Sequence, residues 1–148
     1  MASCQHEIID QAKVSLRTST ALNTLLGSEP QVFFNHAPDN QRPPYFVVDV
    51  QKVKNLYTAM FEGQLCVRLW FNNSSAEKAS NAEEIVHNTF NLKTINGSNV
   101  RNCRLWSKSE ARVQGIKKDH VSNLDVIFID CAFDARWIVK SRIAAAEF

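Results

Sequence analysis

Between Gln64 and Phe90 the chain changes its hydrophobic period. Leu65, Val67, Leu69 and Phe71 fall at every second position, with Cys66, Arg68 and Trp70 between them. Strict alternation over this length predicts a half-buried strand. After Asn72-Asn73, Ala79, Ala82, Ile85, Val86 and Phe90 recur at helical spacing among Lys78, Asn81, Glu83, Glu84 and Asn88. That pattern predicts an amphipathic helix with one apolar stripe. Ser74 stands three residues before Glu77, the spacing of a capping box in which each side chain satisfies an orphan amide at the helix start. A strand and a helix able to fold back onto it form the smallest α/β packing unit, and the remaining segments read as completing its sheet.

Upstream, Ile8, Ile9, Ala12 and Leu16 recur at helical spacing, predicting a helix from Ser3 to about Arg17. Ser19 or Thr20 caps a second short turn through Leu22, Leu25 and Leu26, with Gly27 as its stop. Val32–Phe34 reads as a brief strand. Asn35–Pro44 holds three of the four prolines and reads as a loop, since proline lacks the amide a strand ladder needs. Tyr45–Val50 is the next strand, followed by a polar connection from Gln51 to Gly63. Downstream, Asn96-Gly97 signals a turn, Val100–Trp106 a strand, and Ser107–Asn123 a hairpin tip or loop. Leu124–Phe133 is the most strand-like run. Asp134 opens a helical or extended tail containing Trp137, Ile138, Val139, Ile143 and Phe148. The fold class expected is α+β: a mixed, mostly antiparallel sheet with two main helices on one face. Residues 1–133 form the domain and 134–148 a C-terminal tail.

Composition narrows the function classes. The chain has 148 residues, 45% of them hydrophobic, enough for the core of one domain. Seventeen basic and fifteen acidic residues give a net charge of +2, too balanced to imply nucleic acid or a membrane from the total. No apolar run approaches the ~20 residues of a membrane span. The N-terminus has no charged start followed by an apolar segment, so no secretory signal is expected. The cysteines Cys4, Cys66, Cys103 and Cys131 show no C-x₂₋₄-C spacing and read as reduced, mostly buried thiols.

Candidate chemistry is sparse. The histidines, His6, His36, His87 and His120, include no i, i+4 pair, and the motifs of phosphate loops, dinucleotide sites and nucleophile elbows are absent. No metal and no cofactor are therefore expected. Asp49 and Asp130, both in strand runs, would hold Mg²⁺ in a nuclease, with Arg104 nearby, if the sheet paired them; otherwise they face solvent. His36, Asp39 and Arg42 share the proline-rich loop. The sharpest charge asymmetry is Arg101, Arg104, Lys108, Arg112, Lys117 and Lys118 against Glu110. It suits an acidic protein partner, phosphates or a solvated hairpin. Trp106 alone interleaves with these charges, too little for a base-stacking platform. The apolar tail, with Trp137, Ile138 and Phe148, either packs on its own domain or docks on a neighbour.

Several segments together resemble the tail-completion or tail-terminator proteins of long-tailed bacteriophages. They are STALNTLLGSEPQVFF, HAPDNQRPPYFVVDV, QLCVRLWFNNSSAEKASNAEEIVHNTFNL and HVSNLDVIFIDCAF, spanning most of Glu7 to Phe133. The segment after Asp134 departs from that pattern. The resemblance implies a structural virion protein rather than an enzyme. It implies a homo-oligomer, a six-fold ring at the head-proximal end of the tail tube, contacting tube protein and head-tail connector. DNA would pass through its lumen without sequence-specific binding, and the ring would be assembled in the host cytoplasm. A different neck or head-completion adaptor, a small metal-dependent nuclease, and a cytosolic adaptor binding through the basic segment are the alternatives.

Overall fold

A computed structural model describes residues 4–107, 113–118 and 125–142. The fold is α+β. Helices α1 (Gln5–Arg17) and α2 (Thr20–Leu26) lead into strand β1 (Val32–Phe34), then β2 (Tyr45–Asn55) and β3 (Met60–Asn72). Helix α3 (Ala76–Phe90) follows, then β4 (Thr94–Ile95), β5 (Val100–Ser107), β6 (Val113–Lys118) and β7 (Asp125–Val139). Among the described residues the strands form one sheet in the order β1-β2-β3-β7-β5-β4, with β6 also paired to β7. Among these described strands only β1 and β2 run parallel; every other pairing is antiparallel.

Alternation builds the core. Phe46, Val48 and Val50 of β2, Leu65, Val67, Leu69 and Phe71 of β3, and Cys131, Phe133, Ala135, Trp137 and Val139 of β7 all face one side and are buried. Against them lie Ile8, Ile9, Ala12 and Leu16 of α1 and Ala79, Ala82, Val86 and Phe90 of α3. The helices thus cover one face of the sheet and leave the other open. Ser19 caps α2 by accepting from the Leu22 amide, and Gly27 ends it with φ 76°, a left-handed conformation that glycine adopts freely.

Four expectations need correction. Gln51–Gly63 is not a loose connection: β2 and β3 continue as a hairpin closed by the Leu56 amide on the Met60 carbonyl. A bulge between Gln51 and Lys54, with Lys52 at φ 54°, breaks the alternation that would have revealed it. The Ser74–Glu77 capping box does not form; Asn73–Ser75 make a 3₁₀ turn and Ser75 precedes α3 without a side-chain cap. Residues 113–118 are strand β6, in line with β5 along the same flank of β7. Last, β7 does not stop at Phe133 but runs to Val139, so the first part of the expected tail lies within the sheet.

Glu7 ties the first helix to the turn before β5. Its Oε1 accepts from the amides of Asn99, at 3.0 Å, and Val100, at 3.2 Å, and from the Ser98 hydroxyl. A methyl group at Gly97 would land on this carboxylate, which would have to swing away from its amides to admit it. Burial raises the Glu7 carboxyl pKa, but those amides, His6 and Ser98 more than offset it, and the value lies below the ordinary 4.5. A carboxylate with a depressed folded value stabilises the fold above its unfolded value and stops doing so as pH falls through the folded one. Glu7→Gln is therefore expected to cost about 1 kcal/mol at pH 7. The gap to wild type should close as pH drops below the folded value, as read from urea melts at stepped pH.

Candidate functional site

Among the described residues no helix covers the second face of the sheet, and its side chains follow from the strand parity that buries the other face. At one end, aromatic rings cross four strands. Phe33 of β1 meets Tyr45 edge-on with ring centroids 6.2 Å apart. Tyr45 stacks on Trp70 at 6.0 Å, and Trp70 leans on Phe128 at 5.3 Å. Such pairs contribute roughly 0.5–1.5 kcal/mol each beyond their area. Arg68 lies beside this row. Its Nε and a terminal guanidinium nitrogen donate to the two Asp130 oxygens at 2.5 and 2.7 Å, and its guanidinium carbon sits 4.5 Å from the Phe128 centroid. The planar fork and the ring face hold the charge in place.

The other end is charged. Lys54 and Arg136 flank Glu62 at 3.2 and 3.6 Å. Arg104 lies directly opposite Arg136 in the β5–β7 register, and Arg101 opposite Ile138. Like charges on facing positions repel, so this end, with Glu62 and Asp134 as its acids, presents surplus positive charge. A shallow groove lined by Lys52, Lys54, Gln64, Trp106, Asp134 and Arg136 runs across it.

A solved chain from the virion of a native gene transfer agent (GTA) particle superposes on 93% of this chain and 99% of its own, with a TM-score of 0.70 and 14% identity. The two chains share a fold. A second solved chain aligns over 90% of this one and 91% of its own, at 11% identity and a TM-score of 0.46, too distant to bear on the fold. No protein-family model matches the chain, and no curated protein does.

Within the fold shared with that virion chain, the residues singled out from sequence separate into groups. Arg101 and Arg104 are exposed and, with Ile138, share the charged end of the open face. His36, Asp39 and Arg42 are exposed in the loop between β1 and β2, on the opposite side of the sheet, and do not meet Arg101 or Arg104. Trp137 is a correction: it is 1% exposed, stacked on Phe61 at 6.2 Å, and offers no partner surface, because β7 continues through it with its indole on the helix side. Lys117 and Lys118 belong to β6. Lys108, Arg112 and Phe148 lie outside the described residues.

Asp49 and Asp130 are not brought together. They stand opposite Cys66 and Arg68, so β3 separates them and they are offset by two positions. Asp130 is held by Arg68, and Asp49 accepts from the Val50 amide at 2.8 Å. The Mg²⁺ pair of a nuclease is therefore not formed. Sequence reasoning passed over the Tyr45–Trp70–Phe128 row, although Trp70 sits on the open-face parity of β3, an unusual place for a large aromatic. It also passed over Glu83, one helical turn before His87. The fold sets both beside Cys131.

No helix among the described residues is long and apolar enough to cross a membrane.

Proposed function

We propose that this protein is a structural component of a phage-like virion, a ring subunit at the head-proximal end of a tail tube that ends tube polymerisation and joins the tail to the head connector. The observation that carries the reading is the fold shared with a chain of a gene transfer agent virion over nearly the full length of both. The sheet and the helices on it make up the ring wall. The ring is six-fold, contacts the tube protein on one side and the connector on the other, and passes DNA through its lumen. It needs no cofactor and no catalytic residue, and it is assembled in the host cytoplasm.

Ring closure is head-to-tail: each subunit presents one surface to one neighbour and a different surface to the other. The exposed loop with His36, Asp39 and Arg42 and the charged end with Arg101 and Arg104 lie toward opposite edges of the sheet. That placement suits such a contact, with Asp39 available to the positive end. Analytical ultracentrifugation and electron microscopy test the reading. The wild type is expected to form rings alone or on tail tubes, and Arg101→Glu with Arg104→Glu to remain folded by circular dichroism yet monomeric. A protein that stays monomeric even with tubes present would sink the proposal. Rings that bind heads but not tubes would favour a different neck adaptor.

A further inference from the structure

Beneath α3 three dissimilar donors converge. Glu83 and His87 occupy successive turns of the same helix face, and Cys131 rises from β7, with its side chain on the helix-covered side of the sheet. One carboxylate oxygen, one imidazole nitrogen and the thiol sulfur all lie within 4.8 Å of one another. Cys131 is 1% exposed, while Glu83 and His87 are half-buried at the layer boundary. Among the described residues no other group of three such donors comes together.

The surroundings are those of a held ligand set. The Ser107 hydroxyl lies 2.9 Å from His87 Nδ1, and the His87 ring rests on Phe133 at 5.3 Å. An outer hydrogen-bonding partner of this kind ordinarily fixes the ring orientation of a metal-binding histidine and leaves it one nitrogen for the ion. A mixed sulfur, nitrogen and oxygen set selects borderline transition ions and disfavours Mg²⁺ and Ca²⁺, which prefer oxygen alone. The helical pair was hidden from a search for two histidines, and only the fold supplies the third donor.

We infer that Glu83, His87 and Cys131 form a site for a divalent transition cation of the zinc class, with a water in the fourth position, which pins α3 to the central strand. Contraction of the donors by small rotamer changes completes the coordination. Protons displaced from Cys131 on binding leave to solvent, so affinity falls with acid. This inference does not depend on the assembly role proposed above.

Cobalt(II) and zinc(II) titrations of the full chain test it. One equivalent of cobalt is expected to give a thiolate-to-cobalt charge-transfer band in the near ultraviolet and visible bands of four-coordinate geometry. Zinc should abolish both and raise the melting temperature. Cys131→Ala is expected to remove the charge-transfer band. Glu83→Gln and Ser107→Ala, both away from the buried core, are each expected to weaken cobalt affinity roughly tenfold or more. Circular dichroism checks that each variant is folded. Absence of the band in the wild type, its survival in Cys131→Ala, or unchanged affinity in a folded Glu83→Gln would overturn the site.

Discussion

A chain ending at Phe133 is expected not to fold, whereas one ending at Arg142 folds cooperatively. The difference lies in what Asp134–Val139 do. Residues 134–138 pair with Gln64–Met60 of β3 on one side, and residues 134–139 with much of β5 on the other. Removing them strips both neighbours of their shared partner in mid-sheet, so two strand edges open inside the domain. Ala135, Trp137 and Val139, all buried, leave the core with them. Losing the tryptophan alone amounts to about 3–5 kcal/mol. Added to the valine and the broken ladder, this rivals the ~5–15 kcal/mol by which domains are stable. A chain ending at Arg142 keeps these pairings, together with the bonds that Lys140 and Ser141 make to Asn99. Far-ultraviolet circular dichroism and a thermal melt distinguish the two truncations. A cooperative transition in the shorter chain would show that β7 past Phe133 is dispensable.

Trp137→Ala is expected to cost about 3–5 kcal/mol in the otherwise intact chain. The indole lies parallel to Phe61, with ring centroids 6.2 Å apart and 13° between their planes. It reaches over Gly63, where an added Cβ would meet Trp137 Cη2 and the Gln51 carbonyl at 3.1 Å. The indole is 1% exposed and packed on Phe61 and Gly63, so an alanine leaves a space its close-packed neighbours only partly fill. Trp106→Ala, at a residue 36% exposed on the open face, is expected to cost under about 1 kcal/mol. Urea unfolding curves for the two variants give the comparison. Equal losses would place Trp137 outside the core.

Where side-chain parity alone decides the outcome, the sequence was legible. Leu65 through Phe71 announce β3 and its buried side, and Ala79, Ala82, Val86 and Phe90 announce the stripe of α3. Ser19 and Gly27 mark the ends of α2 through the chemistry of capping and of positive φ. Legibility failed where a local rule met a tertiary one. The bulge at Lys52 shifts the parity of β2, so a strand reads as a polar linker. Ser74 and Glu77 have the right spacing, but the chain enters α3 through a 3₁₀ turn that moves the helix start past Ser74. Asp134 reads as the opening of a tail, yet Phe133, Ala135, Trp137 and Val139 keep their alternation across Asp134 and Arg136. Those charges belong to the open face. The same face explains the site. Arg101, Arg104 and Ile138 come together because β5 and β7 align them, while the partners of Arg68 and Cys131 come from strands and helices far off in sequence, which spacing cannot reveal.

The place of β7 also governs when the sheet can be completed. Among the described residues it is the last strand in chain order yet lies inside the sheet, and its Asp134 meets Gln64 of β3, 70 positions away. During synthesis β3 and β5 emerge first, each with an unsatisfied backbone edge and an apolar side, and neither can be closed until β7 leaves the ribosome. Long-range pairing of this kind is slow to form and exposes edges to other nascent chains. Newly made chains are therefore expected to depend on rapid completion of β7, or on shielding by a chaperone, until the sheet is closed.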